Sequence, residues 1–114
     1  MRHPQLDEIL FHFSRECDRC LGSHRQLLFG SQCRGTAKPS SDIDIAVIID
    51  ERKPLLCDKL TKAIAQISHH YKVRINAFCT SKSRYEKDTT PFYRTLKREA
   101  QTIDQFLGRN HEHL

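Results

Sequence analysis

Two carboxylates, Asp42 and Asp44, stand two residues apart in the run Asp42-Ile43-Asp44-Ile45-Ala46-Val47-Ile48-Ile49. Side chains of an extended strand alternate between faces, so both carboxylates share one face, while Ile43, Ile45, Val47 and Ile49 take the other. Like charges held side by side, roughly 7 Å apart along a strand, repel and gain nothing from packing. A divalent cation turns that repulsion into coordination, and a hard ion such as Mg2+ prefers oxygen ligands of this kind.

Upstream, Gly30-Ser31 follows the apolar stretch Gln26–Phe29 directly. Glycine lets the chain turn sharply and present backbone N–H groups with no Cβ in the way. Such groups suit phosphate oxygens, and the Ser31 hydroxyl adds a donor. Arg34 and Lys38 lie in the connector that leads to the aspartates. If the connector folds back, N–H groups and cations would meet phosphates where carboxylates meet a metal, an arrangement suited to a metal–triphosphate.

Gly30-Ser31, ten residues, then Asp42-Ile43-Asp44 resembles the GS-x10-DxD signature of the nucleotidyltransferase superfamily that includes DNA polymerase beta. Arg34-Gly35 and Ser41 also match that pattern. In so short a chain the resemblance is to the minimal nucleotidyltransferase family of stand-alone prokaryotic domains, and it spans roughly residues 25–104. It implies attack of a hydroxyl on the α-phosphate of a nucleoside triphosphate, most often ATP, with release of pyrophosphate. By the same resemblance Asp42 and Asp44 are the catalytic, Mg2+-holding pair. Gly30 and Ser31 would bind the β- and γ-phosphates, with Arg34, Lys38 and Ser41 as further nucleotide-binding positions. Minimal members commonly pair with a HEPN-domain toxin ribonuclease as its antitoxin and can adenylylate it, so a second chain supplying the acceptor hydroxyl is the expected partner.

The elements that must position these groups are legible as apolar periodicity. Leu6, Ile9, Leu10, Phe13, Cys17, Cys20 and Leu21 recur at helical spacing, predicting an amphipathic helix from about Pro4 to Gly22. Strands follow through Leu27–Phe29 and Ile43–Ile49, joined through a short helix expected from Ser31 to about Thr36. Pro54 suits a helix start, and Leu56, Leu60, Ala63, Ile64 and Ile67 form its stripe as far as His69-His70. Val73–Phe78 reads as a third strand with Val73, Ile75 and Ala77 inward. Short helices capped by Ser81 or Ser83 and begun by Pro91 precede a final strand at Gln101–Asp104. This is an α/β (α+β) chain, a small mixed sheet flanked by helices, expected as one domain over residues 1–108 with a disordered tail at 109–114. The tail's His111 and His113 stand too close to the terminus to be read as ligands.

The third strand departs from the family. Active members usually carry a third carboxylate there, whereas the corresponding face here presents Arg74 and Asn76. Asn76 aligns with the missing acid, with Arg74 the alternative register. Asparagine carries no charge and accepts no proton, so the site would lack a general base and a complete second metal site. Two readings stay open: slow nucleotidyl transfer, and a catalytically impaired module that neutralises a partner by contact.

Composition bounds the rest. The 114 residues suffice for one core but not for a separate substrate domain. A net charge of +5 suits polyphosphate or RNA, and equally a solvated basic surface, so nucleic acid stays a possible partner that is not favoured. Five cysteines, odd in number and with only Cys17 and Cys20 as a C-x-x-C inside a helical pattern, read as semi-buried thiols rather than zinc ligands. Neither a signal peptide nor a membrane-length apolar run is present, and the expectation is a reducing cytoplasm.

Overall fold

The computed structural model describes residues 2–50 and 54–108, with side chains from residue 58 onward in the second stretch. Cys57, Leu56 and the histidine-containing tail lie outside the side chains so described. Helix α1 (Leu6–Cys20) is followed by strand β1 (His24–Phe29), the single-turn helix α2 (Ser31–Arg34) and strand β2 (Ile43–Ile49). Helix α3 (Pro54–Tyr71) and strand β3 (Ile75–Ser81) come next. Short helices α4 (Lys82–Lys87) and α5 (Pro91–Glu99), the two-residue strand β4 (Gln101–Thr102) and α6 (Ile103–Leu107) complete the described chain.

The sheet has the order β3-β2-β1-β4. β1 runs antiparallel to both β2 and β4, whereas β2 and β3 are parallel, with α3 as their crossover. The sheet is therefore mixed and flanked by helices. One face buries Leu28, Ile43, Ile45, Val47, Ile49 and Ile75 against the apolar stripes of α1 and α3. Leu6, Ile9, Leu10, Phe13 and Cys17, spaced for one helical face, are each at most 1% exposed there. Burial pushes the Cys17 thiol far above its ordinary range. The other face buries a smaller cluster, Leu27, Ala46, Ile48, Tyr93 and Leu96, beneath α5. Alternation along β2 puts Asp42 and Asp44 on this second face, at the end where the apolar cover stops.

Several boundaries differ from the sequence reading by a residue or more, β3 above all, which starts at Ile75 and runs on to Ser81 instead of spanning Val73–Phe78. Two of the differences have a clear local cause. The last strand stops at Thr102 because a capping box takes over: Thr102 Oγ1 accepts from Gln105 N–H at 3.0 Å, and Gln105 Oε1 accepts from Thr102 N–H at 3.0 Å. Ile103–Asp104 is therefore helical and not extended. Helix α3 runs to Tyr71 and closes with Lys72 at φ 54°, the Val73 N–H bonding back to the Ser68 carbonyl at 3.1 Å. That is a Schellman closure, which normally takes glycine at the left-handed position. A lysine there costs roughly 1–2 kcal/mol of backbone strain. Lys72→Gly is accordingly expected to stabilise the fold by about 1 kcal/mol, a rise of a few degrees in Tm measurable by calorimetry.

Candidate active site

The Gly30–Ser31 corner and the carboxylate pair meet. Gly30 ends β1 with φ 77° and ψ −152°, a conformation essentially confined to glycine. A Cβ placed on it would overlap the Asp44 Oδ2 atom. Glycine is thus required twice over, by its backbone angle and by the carboxylate seated against it. The corner opens into α2, whose Cys33 and Arg34 N–H groups bond back to the Gly30 carbonyl at 3.0 and 3.1 Å. Buried Gln32 spans to the next strand, donating from Nε2 to the Asp42 carbonyl at 3.2 Å. This bond ties the corner to the start of β2 independently of the sheet ladder.

Strand registry sets Phe29, Asp44 and Asn76 side by side across β1, β2 and β3. The parallel pairing places Asn76, not Arg74, opposite Asp44, which resolves the register left open by the sequence. Asn76 Nδ2 donates to Asp42 Oδ2 at 3.0 Å and to Asp44 Oδ1 at 3.1 Å. Both carboxylates therefore converge on one point, where a positively polarised N–H2 group now sits. Like charges brought this close repel, and the shared amide donor offsets part of that repulsion. Arg74 approaches Asp42 only at the margin, 3.9 Å from Nε to Oδ1, with its side chain 76% exposed and that of Asp42 41% exposed. The carboxylates are open to solvent and are not sealed by the guanidinium.

This geometry suits a hard cation. Two carboxylate oxygens already face a common centre, and a half-turn of the Asn76 amide would present its carbonyl oxygen in place of the N–H2 group. Among the described residues no cluster of three or more His, Cys, Asp or Glu side chains forms. The oxygen set that a cation could meet here is consequently two charged carboxylates, of Asp42 and Asp44, and one neutral amide, of Asn76.

The remaining sequence candidates are placed less directly. Ser31 follows the corner as the first residue of α2. Arg34 pairs with Glu99 of α5 at 3.2 Å, a contact with no local signal in the sequence because the partners stand far apart in the chain. The pair is half exposed and correspondingly weak, so Arg34 is tethered and not locked. Ser41 Oγ accepts from the Lys38 N–H at 2.8 Å, and Ser41 N–H donates to the Lys38 carbonyl at 3.0 Å. Both residues thus shape the turn that delivers Asp42. Sequence reasoning also missed an aromatic wall beside the site. Phe29 meets Phe78 and Phe92 at ring-centroid distances of 6.2 and 6.0 Å, and Phe92 is 49% exposed.

The family model for polymerase beta nucleotidyltransferases matches residues 24–90, more than half of the chain. The chain belongs to this family. A solved structure presented as a candidate minimal nucleotidyltransferase is 23% identical, with a TM-score of 0.62, over 89% of this chain and 95% of that one. A second, the crystal structure of a toxin–antitoxin with AMP-PNP, is 14% identical, with a TM-score of 0.61, over 89% of this chain and 82% of that one. Both share their fold with this chain. No curated protein sequence matches the chain. Among the described residues no helix is long and apolar enough to cross a membrane.

Proposed function

We propose that this nucleotidyltransferase moves a nucleoside monophosphate, AMP from ATP in the first instance, onto a hydroxyl of a partner protein or other acceptor. The observation that carries the reading is the convergence of Asp42 and Asp44 on one point directly against the Gly30 corner. Asp42 and Asp44, with the carbonyl of Asn76, would hold Mg2+. The ion would neutralise the triphosphate and polarise its α-phosphorus. Gly30 and Ser31 would receive the β- and γ-phosphates on backbone N–H groups and the serine hydroxyl. Arg34, released from Glu99, and Lys38 would meet charge that develops on the leaving pyrophosphate, and Ser41 would hold the turn that positions Asp42. Phe92, standing over Phe29 and Phe78, offers a flat apolar surface to a nucleobase.

The acceptor hydroxyl most in keeping with this reading is on a HEPN-type toxin, to which the chain would be antitoxin. Support comes from the fold it shares with a protein crystallised as a toxin–antitoxin with AMP-PNP. A second reading rests on a specific observation. The neutral Asn76 occupies the third position and ties up both acids, as a module that neutralises its partner by contact alone would allow. Incubation with α-labelled ATP, Mg2+ and a HEPN partner separates the two. Transfer of label to the partner, lowered at least a hundredfold by Asp42→Asn or Asp44→Asn, is the expected result. Inhibition of the partner that is indifferent to both changes, without label transfer, would establish the contact module instead.

A further inference from the structure

A second concave site shares Arg74 with the surroundings of Asp42. A cavity of about 430 Å³ lies between the turn that carries Ser40 and the end of α3, lined by Ser40, Ser68, His69, Lys72 and Arg74, with Pro39 at its edge. No acidic side chain is among its lining residues. The cavity is joined to the catalytic row through the backbone, since the Ile43 N–H donates to the Arg74 carbonyl at 2.9 Å between the two aspartates. Arg74 thus stands at the boundary, its guanidinium 3.9 Å from Asp42 on one side and bordering the cavity on the other.

We propose that this cavity is a phosphate-binding subsite that takes the phosphate ester of a second ligand, separate from the triphosphate at Gly30. Two long cationic side chains, an imidazole and two hydroxyls around one concavity form the donor set that phosphate oxygens require. Basic residues at the end of a helix also complement its dipole. That simpler role accounts for His69 and Lys72, but neither for Arg74, which precedes a strand, nor for the concave shape. Lys72 supplies an independent sign. It holds a left-handed backbone position that glycine would take without strain, so a site that selects the ammonium group gives a reason for a residue the fold itself disfavours. The subsite stands on its own donor set and does not rest on the nucleotidyl-transfer reading above.

The test is an amide-resolved NMR titration without Mg2+ or ATP at constant ionic strength, using inorganic phosphate in one series and a 5′-phosphorylated dinucleotide in the other. Saturable shifts confined to Ser40, Ser68, His69 and Val73 are expected, with the dinucleotide bound at least tenfold more tightly than inorganic phosphate. The double variant Lys72→Gly, Arg74→Gln should weaken both ligands at least tenfold. Because Lys72→Gly relieves strain, the variant is expected to stay folded, and its thermal melt checks this. Asp42→Asn should leave the binding in place or strengthen it, since Arg74 then loses a competing partner. Absence of localised shifts, or shifts indifferent to the double variant, would overturn the subsite. Equal affinity for the two ligands would overturn its assignment to a phosphate ester. Phosphate binding here alongside failed label transfer would sink only the transfer reading, so the two failures are distinguishable.

Discussion

Asn76→Asp is expected to speed Mg2+-dependent nucleotidyl transfer by about a hundredfold or more, the usual worth of a positioned general base. The registry puts residue 76 opposite Asp44, and its side chain already reaches Asp42 and Asp44 at 3.0 and 3.1 Å. An aspartate there adds a third charged oxygen ligand and a proton acceptor without moving the backbone. The same change has a second, opposite effect in the absence of metal. It removes two hydrogen bonds and sets three like charges around one point, which should destabilise the metal-free protein by roughly 2–4 kcal/mol. Added Mg2+ binds only the folded site and should recover most of that loss, since a ligand at a hundred times its Kd contributes about 2.7 kcal/mol. Melting curves with EDTA and with Mg2+ therefore check the geometry without any assay of activity. The variant should melt lower than the parent in EDTA and show the larger upward shift with Mg2+. Equal shifts in the two proteins would mean that the carboxylates do not share a metal with residue 76.

Gly30→Ala should be the most damaging single-methyl substitution on the active face. It imposes a strained backbone region on a residue with a Cβ, about 1–3 kcal/mol, and drives that carbon into the Asp44 carboxylate. The combined loss should approach 4 kcal/mol, which lowers Tm by on the order of 10 °C for a chain of this size. If the strand yields instead of the carboxylate, Asp44 turns away from the metal position and Mg2+-dependent stabilisation disappears. Gly35→Ala makes a useful control: it too has φ 77°, but a Cβ there would meet nothing within 4 Å. Similar losses at both positions would show that backbone strain alone matters and that the seat of Asp44 against Gly30 does not.

Much of this was written in the order of residues. The period-two alternation of Asp42 and Asp44 against Ile43, Ile45, Val47 and Ile49 determined that both acids share a face, because strand geometry leaves no alternative. The helical stripes of α1 and of Leu60, Ala63 and Ile67 likewise fixed one buried side for each helix. The Gly30–Ser31 corner and its spacing to the acids carried the family. The short α6 was also legible in principle, through Thr102 and Gln105, but the capping pair was overlooked in favour of a continued strand.

Tertiary structure decided whatever depends on registry and on contacts between distant segments. Only the parallel pairing of β2 with β3 could choose Asn76 over Arg74, since both lie on one face and period two cannot rank them. The pairing of Arg34 with Glu99 spans most of the chain and leaves no local trace. The cavity beside Arg74 exists because a Schellman turn and the Ser41-braced turn before Asp42 happen to face each other across the strand ends. Local propensity is short-ranged and sets which face a side chain takes; packing is long-ranged and sets what that face meets.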